Sequence, residues 1–350
     1  MSAAAGRGTR AALAYPFAGA EPPVGGTMRV APGVRWVRLK IPGPLRHVNC
    51  WLIDDGDGVA LVDTGMDTPD ARAAWDSVFR GNLAGVRVTR MIGTHFHPDH
   101  IGLAGWMCAH QNAPLLMTRG EWLYARMLIA DACDTVPDEA VAFWRAAGWD
   151  DEQVAAMQAC GWAGLRRIVT PLPLGFTRLI DGQRLAIGGR DWRVVTGSGH
   201  SPEHACLLDE ANGVLIAGDQ VLPRISPNVS ITISEPHADP LGEWFASIDK
   251  LRALPADLLV LPGHGDPFTG LHARLDAMAD EHRERLNALE LFLAEPRRAV
   301  DAFAVLFRRT IGQDMLGMAT GEALAHLRRL EREGRAFEEM RDGVRWWRAT

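Results

Sequence analysis

Short apolar runs, cut off by glycine, aspartate and proline, alternate along this chain with longer stretches of helical spacing. The runs at 34–41, 48–54, 58–62, 88–93, 114–117, 192–196, 204–209, 213–217 and 257–261 are too short for buried helices, which predicts strands. Residues 67–80, 101–111 and 241–254 repeat their apolar positions with a helical period. Asn49 to Asp63 predicts a hairpin turning at Asp55-Gly-Asp-Gly58. Strands mixed with covering helices give a layered α/β fold.

Two regions exceed a minimal sheet-and-helix unit. Residues 119–175 predict a helical insertion, with helices over 121–130, 137–147 and 151–160, and with Pro137 and Asp150 at helix starts. The tail from 271 predicts a long helix over 271–295, further helices over 296–308 and 320–333, and a terminal strand pair near Gly334–Phe337 and Val344–Trp347. Helix, helix and hairpin together resemble a winged-helix module. Such modules bind nucleic acid through basic faces. Here 271–350 holds fourteen arginines against fourteen acidic residues, so packing, rim-shaping or dimerisation is the expected role.

Composition narrows the setting. The chain has 350 residues, 47% of them hydrophobic, and a formal charge of −6 that gives no drive toward nucleic acid. Its five cysteines form no Cys-x-x-Cys pair and read as buried apolar fillers in a reducing compartment. Residues 1–27, rich in alanine, glycine and proline, are expected to be a flexible segment without a signal-peptide core, and no apolar stretch is long enough to span a membrane. A cytoplasmic protein follows as the expectation.

The densest chemistry lies in Thr94-His-Phe-His-Pro-Asp-His100, directly after an apolar strand. His95 and His97 point the same way from a strand end, while Asp99 and His100 fall on the turn into a helix and can face a second position. Imidazole and carboxylate suit zinc, and also manganese or iron. Three more candidates follow apolar strands: His200 in Gly197-Ser-Gly-His200, Asp219 in Ile216-Ala-Gly-Asp219, and His264 in Pro262-Gly-His264. Glycine lets a backbone turn sharply beside an ion.

With Leu61-Val-Asp-Thr-Gly65 ahead of them, these motifs stand in an order that resembles the metallo-β-lactamase superfamily. The resemblance implies a four-layer αββα sandwich over residues 28–270, including the 119–175 insertion, followed by the winged-helix-like module over 271–350. It implies that His95, His97 and His200 hold one divalent ion, that Asp99, His100 and His264 hold another, and that Asp219 bridges them. Asp63 and His204 are expected to orient ligands rather than to bind metal. Zinc is the expected ion, with manganese or iron allowed.

The reaction implied is hydrolysis of a carboxylic ester-type bond, a thioester or lactone with an apolar acyl part, by hydroxide held between the ions. Asp99 and Asp219 are its candidate catalytic carboxylates. The insertion, rich in rings and methionine, is either a satellite core or a lid, with Trp122 and Tyr124 as candidate substrate contacts. Arg224 is a candidate for a substrate carboxylate or phosphate, or for a rim ion pair. The expected partner is a small molecule, without nucleic acid or membrane, and a homodimer is left open. Two other classes remain: a phosphodiesterase or ribonuclease of the same superfamily, and a non-hydrolytic binding protein, whose mark would be a degenerate ligand set.

Overall fold

A computed structural model of the chain describes residues 13–350. The apolar runs become two mixed sheets. The first has the order β1 (Met28–Ala31), β2 (Val34–Lys40), β3 (His47–Asp55), β4 (Gly58–Val62), β5 (Arg87–Ile92), β6 (Leu115–Thr118) and β7 (Thr177–Leu179). The second runs β12 (Leu259–Pro262), β11 (Val214–Gly218), β10 (His204–Asp209), β9 (Arg190–Gly197) and β8 (Arg184–Ile187). Between the sheets lies an apolar layer around Trp36, Trp51, Ile53, Trp192 and Leu207, with the Trp36 and Trp51 rings stacked at 5.9 Å.

Helices cover both outer faces, completing the αββα order. Parallel strand pairs need crossovers, and helices supply them. They are α1 (Pro69–Arg80) between β4 and β5, α2 (Pro98–Ile101) and α3 (Ala104–Gln111) between β5 and β6, and the insertion between β6 and β7. The insertion comprises α4 (Arg119–Ala130), α5 (Asp138–Ala146) and α6 (Asp151–Cys160), and α7 (Pro240–Arg252) links the parallel pair β11 and β12. Because β4, β5 and β6 run in one direction, their carboxyl ends, and the start of the insertion, fall on one edge.

Local signals explain the helix ends. The Thr68 side chain caps α1 at Ala71 N, with Pro69 in the first turn. α6 opens with a capping box between Asp150 and Gln153. α1 buries Ala71, Trp75 and Val78 against the first sheet, and the Trp75 indole donates to Thr64 O at 2.8 Å.

The tail forms α8 (Leu271–Phe292), α9 (Phe303–Leu306), α10 (Leu316–Arg332) and the antiparallel hairpin β13 (Ala336–Arg341) with β14 (Val344–Ala349). No break in the core falls at residue 271. Leu271, Leu275 and Met278 share one apolar cluster with Trp244 of α7, Leu327 of α10 and Trp347 of β14.

Several expectations change. Residues 1–12 of the expected flexible segment lie outside the described residues, but 13–27 follow the sandwich surface. Ala14 bridges Thr269 through paired main-chain bonds, and Leu13 and Tyr15 pack on the core, with the Tyr15 ring 6.5 Å from that of Phe268. The strands β1, β7 and β8 are additional; they are only three or four residues long, too short to show a period. Of the cysteines, Cys133 and Cys160 are exposed, since the insertion is too thin to bury both sides of its helices.

At the end of β3 opposite His47, one carboxylate ties the sheets together. Asp55 accepts from Thr89 Oγ1 at 2.6 Å and Arg90 Nη2 at 2.9 Å in the first sheet, and from Gly188 N at 2.9 Å beside the second. Burial opposes its ionised form, but Thr89, Gly188 and Arg90 outweigh it and hold the carboxyl below its usual value. A lowered native value means stabilisation that is complete above the unfolded carboxylate range and is lost as pH falls through it. Asp55→Asn is therefore expected to lower the thermal midpoint at pH 7, and the gap from the parent should close on acidification below about 3.8.

Candidate metal centre

Five strand ends deliver the site. β4 ends in Asp63, β5 leads into the His95–His100 turn and α2, β9 into the loop of His200, β11 into Asp219, and β12 into His264. All seven expected ligands converge. Donor atoms of His95, His97 and His200 lie within 4.8 Å of one another, as do those of His95, His100 and Asp219, and those of Asp99, His100 and His264. Asp219 stands between the groups: its Oδ1 is 3.3 Å from His100 Nε2, and its Oδ2 is 3.7 Å from His200 Nε2 and 3.4 Å from His264 Nε2.

The imidazoles are gripped from behind. His200 Nδ1 donates to Asn228 O and His264 Nδ1 to His47 O, both at 2.7 Å. His100 Nδ1 lies 2.7 Å from Asp63 Oδ2. His95 Nδ1 lies 3.0 Å from Thr94 Oγ1, whose own proton goes to Asp63 Oδ2 at 2.8 Å. These acceptors dictate the Nδ1–H tautomer in all four rings, so each Nε2 lone pair faces the cluster. His95 Nε2 then faces His200 Nε2 at 3.3 Å, lone pair to lone pair, and accepts from His97 Nδ1 at 2.9 Å. The buried atoms His100 Nε2, His264 Nε2 and Asp219 Oδ1 have no hydrogen-bond partner among the described residues. Converging lone pairs beside two carboxylates are stable only around positive charge, and the donor set fits divalent metal.

Electrostatics agree. Burial acts against charge on His264, but Asp219 and Asp99 raise its pKa to about 10. At His100 burial is likewise outweighed, by Asp219, Asp63 and Asp99, and the value rises. His97 is pushed down to about 3 by burial and by His200, while Asp99, despite burial, falls to about 2 through His100 and His264. One half of the cluster attracts cations and the other is neutral imidazole.

Packing leaves no slack. A Cβ on Gly263 would collide with the Asp219 carboxylate and the His100 ring, and Gly218, at φ 49°, lies against the His204 imidazole.

Comparison with known proteins places the chain. A model of the Metallo-beta-lactamase superfamily matches residues 43–264. The chain belongs to that superfamily. A second model, Metallo-beta-lactamase-like C-terminal domain, matches 286–350. A beta-lactamase domain protein from Burkholderia ambifaria shares 38% identity and superposes with a TM-score of 0.89, covering 97% of this chain and 98% of the other. A metallo-beta-lactamase family protein from Thermus thermophilus shares 30% identity at a TM-score of 0.76, covering 91% and 99%. Among curated relatives, a probable metallo-hydrolase of Bacillus subtilis is 24% identical over 85% of this chain and 92% of its own length. An atrochrysone carboxyl ACP thioesterase of Emericella nidulans is 22% identical over 86% and 80%.

Within this metallo-β-lactamase fold the supporting residues have definite places. Asp63 accepts from Thr94 N, Thr94 Oγ1 and His100 Nδ1 at 2.7–2.8 Å. His204, fully buried, accepts from Asp219 N at 3.1 Å and stacks on His95 with ring centres 4.8 Å apart. Tyr124 and Arg224 line the cavity that opens from the cluster. Arg224 is rim-like: it lies over the Tyr15 ring and 4.0 Å from Asp266, and it is largely exposed. Trp122 is a correction. It lies on the other side of α4, stacked on Phe176 at 4.6 Å with its indole donating to Pro173 O, and is absent from the cavity wall. Nothing in the pattern of the chain singles out Thr94, Glu121, Asn228 or Glu322 for the roles they take. Asn228 acts through its main-chain carbonyl, and its side-chain amide donates to Glu322 Oε2 of α10 at 3.0 Å.

Removing the Asp63 charge frees the His100 and His95 rings together. Asp63→Ala is expected to weaken zinc affinity by about 10–100-fold, the usual cost of losing a ligand's hydrogen-bond partner, as read by chelator competition.

Proposed function

We propose that this metallohydrolase cleaves a thioester or lactone whose acyl part is bulky and apolar. The observation that carries the reading is a cavity of about 1270 Å³ running from His97, Asp99, His200 and Asp219 to walls that are largely hydrocarbon. That volume exceeds the roughly 300–1,000 Å³ of ordinary small-molecule sites. Tyr124, Phe143 and Trp144 of the insertion form one wall, and Leu306, Phe307 and Met318 of the tail another. The thioesterase among the relatives is in keeping with such a substrate.

In this reading His95, His97 and His200 would hold one divalent ion and Asp99, His100 and His264 the other, with Asp219 available to each. Divalent cations bound there, zinc in the first instance, would supply Lewis acidity and bring the pKa of a bound water toward neutrality. The chain's own groups do the rest. Asp99 faces the cavity, and its carboxylate is the acceptor for the proton of the attacking water. The C–O bond forms as the C–S or ring C–O bond breaks, and Asp99 passes the proton to the departing sulfur or oxygen. The apolar walls seat the acyl group and exclude bulk water.

An initial-rate panel on metal-loaded protein, with Asp99→Ala as blank, tests the assignment. Rates confined to acyl thioesters, lactones and aryl esters, and rising with acyl length, are the expected result. Cleavage of a bis-aryl phosphodiester or short RNA above the blank would sink it. Trp144→Ala is expected to raise KM for long acyl groups about tenfold, a loss of about 1.4 kcal/mol, and to leave short ones unchanged. Asp219→Ala should lose at least one equivalent of metal by elemental analysis and most of the rate.

A further inference from the structure

Glu121 is the third residue of α4 and is fully buried, with no cationic side chain among the described residues bonded to it. Its Oε1 accepts from Ser201 Oγ at 2.6 Å and from Glu203 N at 2.7 Å, and its Oε2 from Phe96 N at 2.8 Å. Phe96 stands between His95 and His97, and Ser201 follows His200. One carboxylate thus joins, from behind, the two loops that present this three-imidazole group.

The helix start is fastened to the second loop twice more. Gly120 N donates to Glu203 Oε2 at 2.8 Å, and Thr118 Oγ1 to Glu203 O at 2.7 Å. Topology makes this reachable, because β6 ends on the same edge as β5 and releases the chain into α4 beside the ligands. Burial pushes the Glu121 carboxyl up to about 7 against the pull of its three donors. A fully buried carboxylate without a cation is costly, and core packing does not require one at this place.

We propose that Glu121 is a positioning residue for the His95, His97 and His200 group, fixing the separation of the two loops and coupling the insertion to the metal centre. Three donors meet two oxygens, so only an acceptor-only group satisfies all of them. Glutamine has the right shape and the wrong chemistry: its amide N–H₂ must face either Phe96 N–H or the Ser201 and Glu203 donors.

The inference rests on reading the cluster as a metal centre and is independent of the substrate. The test is zinc binding to the full chain by chelator competition, together with the visible spectrum of the cobalt-substituted protein. Glu121→Gln is expected to weaken one of two zinc equivalents by about 10–100-fold, leave the other unchanged, and shift the cobalt bands. Ser201→Ala, which removes a single donor and keeps the carboxylate, should move both readouts the same way by less, and carries the test if Glu121→Gln does not fold. Leu123→Ala, on the exposed face of the same helix, should match the parent. Unchanged zinc affinities and cobalt spectrum in folded Glu121→Gln or Ser201→Ala, even with a lowered thermal midpoint, overturn the proposal. A parent chain that binds no zinc overturns the metal-centre reading itself, and this proposal with it.

Discussion

A single buried carboxylate, Asp63, organises the edge on which everything else depends. It sits at φ 60°, a backbone conformation that asparagine and aspartate tolerate better than most residues, directly after a strand buried on both faces. From there it takes the main-chain and hydroxyl protons of Thr94 and the Nδ1 proton of His100. Through Thr94 it also sets His95. Two imidazoles from one turn thereby share one anchor, and their lone pairs keep a fixed relation. The rings of His200 and His264 are held by main-chain carbonyls, of Asn228 in a loop and of His47 at the start of β3.

The work of the molecule is divided between old edge and added walls. Among the described residues, the candidate ligands follow the strand ends of the two sheets. The cavity beyond them is walled by the 222–243 segment after Asp219, by the loop ahead of β3, by the tail and by the insertion, and the last two also reach back toward the cluster: Glu121 from one side, Glu322 through Asn228 from the other. Size and polarity of the pocket are therefore set by segments that lie outside the ligand-bearing strands but not outside their hydrogen-bond network.

Much of this edge was readable from sequence because the ligands are side chains whose context repeats: an apolar strand, a glycine turn, then His or Asp. The strands that carry them are long and apolar enough to be found. What was hidden has physical reasons. An aromatic stripe at helical spacing shows that a helix has an apolar face but not which neighbour it meets, so Trp122 and Tyr124 looked alike although they lie on opposite sides of α4. A main-chain acceptor such as Asn228 O leaves no mark on residue identity. Glu121 looks like any acidic residue in the first turn of a helix. The strands β1, β7 and β8 owe their pairing to neighbours rather than to any period of their own.

The candidate ligands arise from both sheets: His95, His97, Asp99 and His100 follow β5 of the first, and His200, Asp219 and His264 follow β9, β11 and β12 of the second. Neither sheet alone presents a full set, so the affinity for cations falls on the docking of one half of the sandwich against the other. Without them, the protons that His100 and His264 take up are the positive charge left among the carboxylates. Cations that bind only the docked form would then hold a newly made chain folded against proteolysis.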